Sequence, residues 1–195
     1  MIVPEPGELE LIERKKPTVP PAEYLPYDDS KGMVPPMANF GEGYRYHVTG
    51  LNHDQTGFPT QDPKIIQSFQ ERTVNKVLKN IDKITSYEEE HIDDAEIVLV
   101  SFGSSARSAK VAYKTLRENG KKIGYLKLKT IWPFPEDLFK TLANKVNKVV
   151  VIEMNLGQLI FEVERFFGLD RVHGVFRADC EPITPNQILK AIEEL

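Results

Sequence analysis

Val149-Val150-Val151-Ile152-Glu153-Met154-Asn155-Leu156-Gly157-Gln158 is a β-branched run that stops at a carboxylate, two amides and a glycine. Four consecutive β-branched residues without polar alternation read as a strand buried on both faces, as in a parallel sheet. The residues that follow turn into a helix. Glu153, Asn155, Gly157 and Gln158 therefore fall at the carboxyl edge of a sheet, where open α/β folds place ligands or partners.

Outward from that strand the pattern repeats. Residues 96–102, with Ile97-Val98-Leu99-Val100 at their centre, read as another strand buried on both faces. Gly103-Ser104-Ser105 then turns into a helix bearing Ala109, Val111, Ala112 and Leu116 and ending near Gly120. A further strand spans 123–131 and is broken by Trp132-Pro133-Phe134-Pro135. Glu136 and Asp137 suit the positive start of the helix that follows, through about Val146. After the opening strand a helix runs from Gly157 to about Phe167, then a short strand over 171–176. The last helix opens on Thr184-Pro185-Asn186-Gln187, a capping-box pattern with proline at the first helical position. Crossovers of this kind cover both faces of a small sheet, which predicts a three-layer α/β/α architecture with a mostly parallel sheet.

Upstream the composition changes. Asp62 as cap and Pro63 behind it open a helix in which Ile66, Phe69, Val74, Val77, Leu78, Ile81 and Ile84 recur at helical spacing, reaching about Asp82. The acidic stretch Glu88-Glu89-Glu90-His91-Ile92-Asp93-Asp94 reads as a solvated connection. Most of the 14 prolines lie ahead of Lys64, in segments such as Pro17-Thr18-Val19-Pro20-Pro21, where fixed φ and missing donors oppose helix and central strand alike. Tyr24, Tyr27, Phe40, Tyr44 and Tyr46 make this segment too aromatic for a solvated linker, so it is expected to pack on the following domain or on a partner chain. The expected organisation is an extended proline-rich arm over 1–61, a connecting helix and acidic loop over 62–95, and an α/β domain over 96–195.

Composition narrows the function. A chain of 195 residues with 41% hydrophobic and 28% charged residues can bury one ordinary core. Its formal net charge of -4, with scattered lysine and arginine, argues against nucleic acid or an anionic membrane as partner. No apolar run is long enough to span a bilayer, and Met1-Ile2-Val3-Pro4-Glu5 lacks the pattern of a signal peptide, so a cytoplasmic location is expected. Cys180 is the single cysteine, which excludes an internal disulfide, a cysteine-based zinc site and an iron–sulfur cluster held by this chain alone.

The candidate sites gather on one sheet edge. Gly103-Ser104-Ser105-Ala106-Arg107 places hydroxyls and free backbone N–H groups at a helix start, a geometry that suits an anion and equally an ordinary helix cap. Walker and Gly-x-Gly-x-x-Gly patterns are absent. Glu153 suits general acid/base work at a crevice, or a structural role accepting hydrogen bonds from the Gly103 loop; the structural role is favoured. Asn155 and Gln158 have the spacing of a cap and its third helical residue. The Trp132 motif suits an interface anchor as well as packing within its own domain. His53-Asp54 resembles a catalytic pair, but adjacent side chains rarely converge, and a turn around Asp54-Gln55-Thr56-Gly57 is the favoured use. The four histidines show no metal-ligand spacing, and Cys180, between Asp179 and Glu181, has no cation in sequence to activate it.

Several of these stretches together resemble a known family. Glu153-Met154-Asn155-Leu156-Gly157-Gln158 and Phe102-Gly103-Ser104-Ser105-Ala106-Arg107-Ser108 are similar to the C-terminal part of the alpha subunit of 2-oxoacid:ferredoxin oxidoreductases, the 2-oxoglutarate type above all. The segments 48–60 (Val48-Thr49-Gly50 to Pro59-Thr60), 128–135 and 182–189 agree in order and spacing. The resemblance spans nearly the whole chain. It implies a transketolase C-terminal-like domain that supports the cofactor domains and subunit contacts of an enzyme decarboxylating a 2-oxoacid on thiamine diphosphate, with transfer to coenzyme A and electron flow through iron–sulfur clusters to ferredoxin. It also implies that the thiamine-activating glutamate lies in a preceding domain missing from this sequence, and that the diphosphate and Mg2+ site belongs to the beta subunit. The chain is then expected to be a fragment or one of several chains sharing the activity, with no cofactor and no catalytic residue of its own. Its expected partners are the beta and other subunits, and ferredoxin through the complex. Gly103, Ser104, Ser105, Arg107, Glu153, Asn155, Gly157 and Gln158 are the residues expected to form a rim facing a subunit or ligand, with Arg107 expected to meet an anionic group of substrate or coenzyme A. The competing expectations are a stand-alone module binding an anion or coenzyme A, and an independent enzyme using Glu153 or His53.

Overall fold

A computed structural model describes residues 4–9 and 12–195. Met1-Ile2-Val3, read above as lacking the pattern of a leader, lie outside the described residues. The chain forms two compact units, 1–79 and 80–195. The division falls after the first helix, so that helix goes with the proline-rich arm and the acidic segment goes with the sheet.

In the first unit, loops around a short 3-10 turn (Pro21–Glu23) precede helix α1 (Pro63–Leu78). Asp62 starts α1 by accepting from the Lys64 N–H at 2.8 Å. The helix ends at Leu78 rather than near Asp82, because Asn80 leaves helical geometry at φ -125° before the short α2 (Ile81–Ile84) begins the second unit. Aromatic residues supply what packing the arm has. Tyr24 meets Tyr44 and Tyr46 edge-on at 5.0 and 5.8 Å, and its hydroxyl donates to the Pro36 carbonyl and accepts from the Ala38 N–H. Tyr24 and Ala38 are the only buried apolar residues of this unit among the described residues, and α1 buries none.

The second unit carries a five-stranded sheet in the order β1-β3-β2-β4-β5. Its strands are β1 (Tyr87–Glu90), β2 (Ile97–Phe102), β3 (Ile123–Leu128), β4 (Lys148–Glu153) and β5 (Val172–Phe176). All neighbours are parallel except β1, which pairs antiparallel with β3. The acidic stretch read as a solvated connection is thus in part an edge strand. Two of its charges are met by lysines: Glu88 pairs with Lys127 and Lys129 of the neighbouring strand and its end, and Glu90 with Lys110 of the helix that follows β2.

The β-branched runs place alternate residues on opposite faces. Val98, Val100, Val149 and Val151 face α4 (Glu136–Lys145) and α5 (Leu159–Phe167), where Phe139, Leu142, Leu159 and Val163 meet them. Leu99, Val150 and Ile152 face α3 (Ser105–Glu118) and α6 (Pro185–Glu193), against Ala109, Ala112, Leu116 and Ile188. Each fully buried valine or leucine contributes about 1.5–3 kcal/mol over an exposed one, so the β2–β4 pair is the stable centre. This is the three-layer α/β/α, mostly parallel arrangement expected from the sequence. Thr184 and Gln187 form the expected capping box of α6.

Candidate functional site

The chain leaves β2 for α3 on one face and leaves β4 for α5 on the other, so the carboxyl ends of these adjacent strands are the topological switch point of the sheet. Seven of the eight rim residues lie in the two loops that diverge there or in the first turns of the helices they enter, and the eighth, Glu153, is the last residue of β4.

Glu153 ends β4 with its side chain fully buried. Oε1 accepts from the backbone N–H groups of Gln158 and Ile160, both at 3.1 Å; Oε2 accepts from the Leu159 N–H at 2.9 Å and from Asn155 Nδ2 at 2.9 Å. The carboxylate thus caps the N-terminus of α5, satisfying three orphan donors and meeting the positive end of the helix. With two donors on each oxygen it has no lone pair directed at a crevice. The donors also differ from those expected, because they come from α5 and Asn155 rather than from the Gly103 loop.

Asn155 is not the helix cap. Its Oδ1 accepts from the Gly157 N–H at 2.8 Å, a tight turn that lets the chain reverse beneath Glu153. Gly157 is buried at φ +95°, where a Cβ would lie 3.2 Å from the Phe176 ring. Gln158 occupies the N-cap position of α5 without a capping side-chain bond and faces solvent, and Leu156 at the loop tip is 83% exposed.

On the β2 side, Gly103 takes φ +59°. Ser105, buried in the first turn of α3, directs its hydroxyl at the carbonyls of Phe102 (2.8 Å) and Ile152 (3.0 Å), tying the two diverging loops together. Ser104 holds the N-cap position, but its hydroxyl donates to Met154 Sδ at 3.3 Å instead of capping the helix. Arg107 is exposed, and no ion pair holds it among the described residues. The structure therefore brings the eight residues together with divided roles. Glu153, Asn155, Gly157 and Ser105 build the loops; Gly103, Ser104, Arg107 and Gln158 present the accessible surface.

Sequence reading missed two rim residues. Met154 receives Ser104, and Arg177, just past β5, donates to Asp179 at 2.6 Å and to the Pro182 carbonyl at 3.1 Å. The position of Arg177 after a strand was the available signal. Cys180 follows in the same exposed turn at φ +68°.

The other motifs divide as well. Trp132 is 64% exposed, whereas Phe134 is buried against Phe139 and Phe166, so one motif serves both packing and display. In the first unit His53 is buried, stacked on Tyr27 at 4.7 Å and bonded through Nε2 to Thr49 Oγ1 at 2.9 Å. Asp54 accepts from Thr56, and the Gly57 N–H closes the 54–57 turn. The two side chains thus serve different local structures.

Among the described residues no group of three or more histidine, cysteine, aspartate and glutamate side chains could hold a metal ion, and the chain has one cysteine. A single cysteine does not fit an iron–sulfur cluster held by this chain alone. No helix among the described residues is long and apolar enough to cross a membrane.

Residues 95–188 match the family described as pyruvate:ferredoxin oxidoreductase core domain II. The chain is 49% identical over 157 residues to the 2-oxoglutarate synthase subunit KorA of Methanocaldococcus jannaschii, covering 80% of this chain and 42% of that protein. It is 39% identical over 189 residues to the KorA subunit of Methanothermobacter thermautotrophicus, covering 96% and 50%. The chain spans about half the length of the curated relatives it matches. Among solved structures, the 2-oxoglutarate:ferredoxin oxidoreductase of Magnetococcus marinus, with 2-oxoglutarate, coenzyme A and succinyl-CoA bound, matches at TM-score 0.81. That match has 24% identity over 98% of this chain and 34% of the other. At that identity the likeness establishes the fold.

Proposed function

We propose, from the premise that this chain belongs to the family of 2-oxoacid:ferredoxin oxidoreductase alpha subunits, that it is the supporting and interaction domain of such an enzyme and has no turnover of its own. The observation that carries this reading is the state of Glu153. The one buried carboxylate at the switch point is consumed in capping α5, so the crevice holds architecture rather than an acid or base.

The whole enzyme would decarboxylate a 2-oxoacid, 2-oxoglutarate in the first instance, transfer the acyl group to coenzyme A and reduce ferredoxin. Thiamine diphosphate, Mg2+ and the iron–sulfur clusters would sit in the remainder of the alpha subunit or in the beta and other subunits; a chain with one cysteine cannot ligate a cluster by itself. Ferredoxin would meet the complex through those subunits, in the cytoplasm. What this chain contributes is a rigid edge: Ser105 and Glu153 fix two loops, and Ser104, Arg107, Leu156 and Gln158 present one surface to a subunit or an anionic ligand.

Reconstitution tests it. The chain alone should give no coenzyme A-dependent reduction of a viologen dye with 2-oxoglutarate, and adding the rest of the alpha subunit with the beta subunit should restore it. Turnover by the isolated chain, abolished by Glu153→Gln, would instead establish an independent enzyme.

A further inference from the structure

Helices α4 and α5 cover one face of the sheet. A helix is about 10 Å across and strands are about 4.8 Å apart, so two helices span roughly four strands and leave one bare. The bare strand is β1, at the edge next to β3. Two hollows of about 280 and about 510 Å3 lie there, sharing Tyr87, Asp137 and Leu138 as walls. Their apolar floor is Tyr87, Ile92 and Leu138, of which Ile92 and Leu138 join the main core from its margin.

The rim is acidic. Asp82, Glu89 and Asp137 surround the floor and are exposed. Asp82 and Glu89 have no ion pair among the described residues, while Asp137 is matched by Lys140 in a pair exposed enough to exchange readily. Lys145, at the far end, is paired with Asp93. The Thr85 hydroxyl oxygen, in the wall of the smaller hollow, is buried and has no hydrogen-bond partner among the described residues.

We propose that this groove seats one amphipathic helix of a partner chain, its apolar stripe on Tyr87, Ile92 and Leu138 and its lysine or arginine side chains on Asp82, Glu89 and Asp137. The partner helix would become the third helix of that layer. Width favours a helix over a strand, and the charge of the rim favours a basic one. The glutamates on the other face of β1 are already matched by lysines, so the unmatched charge lies on the side where cover is missing.

The test uses the full-length protein purified with its companion chains and carrying Tyr87→p-benzoylphenylalanine. Irradiation should cross-link a single peptide of another chain with apolar residues at i, i+3 or i+4, and i+7, flanked by lysine or arginine. An acidic or extended peptide, a peptide from a second copy of this chain, or no cross-link overturns the proposal. Asp82→Lys combined with Glu89→Lys should weaken the cross-linked companion's binding at least tenfold at low salt while the melting temperature holds. Unchanged affinity also overturns it.

Discussion

The hydroxyl of Ser105, at the start of α3, reaches the carbonyl of Ile152 in β4 at 3.0 Å, across the point where the chain departs to opposite faces of the sheet. Neighbouring parallel strands share backbone hydrogen bonds along their length, but their loops separate at a switch point and lose that support. Ser105 restores one bond there. Ser105→Ala should lower the unfolding free energy by about 1–2 kcal/mol, and Ser105→Thr should recover part of it; denaturant titration of both variants decides.

Glu153→Gln keeps the shape of the side chain and places an amide N–H2 against N–H donors. A cost of about 2–3 kcal/mol is expected, in line with loss of a charged acceptor from a buried cap. Hydrogen exchange should show the first turn of α5 opening before the rest of the sheet. Equal protection in variant and wild type would refute the capping role.

Gly174 and Phe176 are coupled. A Cβ on Gly174 would lie 2.0 Å from the Phe176 ring, which would have to swing away from Gly157. Gly174→Ala should cost about 1–3 kcal/mol as an overpacking change and much less in a Phe176→Ala background. A double-mutant cycle measures the coupling directly.

Burial holds the His173 imidazole below its usual pKa of 6.5, and Lys148 pushes the same way more weakly. Its Nε2 is buried with no hydrogen-bond partner among the described residues, so the fold favours the neutral ring. That contribution is complete above about pH 6.5 and is lost as pH falls from there through the lower folded value. The stability difference between wild type and His173→Gln should therefore be constant from pH 8 to 7 and shift against the wild type toward pH 5. A difference that does not change with pH excludes His173 as its source.

Arg107→Ala should leave stability within about 0.5 kcal/mol, since the side chain is exposed and has no ion pair among the described residues. If the rim meets an anion, the KM for 2-oxoglutarate or coenzyme A in the assembled enzyme should rise severalfold. Unchanged values for both would restrict Arg107 to the surface.

Much of the architecture was legible in local pattern. The β-branched runs at 97–100 and 149–152 announced buried parallel strands, and the Thr184 and Gln187 pair announced α6. The misread elements depend on residues far apart in sequence. Glu88 and Glu90 look solvated until Lys127, Lys129 and Lys110 are seen beside them. The eight candidate residues do gather at the switch point, but the part each plays in building the two loops was not legible. Local capping patterns look three residues ahead, whereas Glu153 reaches five to seven residues forward to cap α5.

The two borders of the sheet differ in how they tolerate crowding. β1 ends the sheet with three consecutive glutamates, so a second β1 brought alongside would set like charges against each other. β5 ends it with Val172, His173, Gly174, Val175 and Phe176, with no formal charge at neutral pH to deter a neighbour. Concentrated or partly opened protein is therefore expected to self-associate from the β5 side.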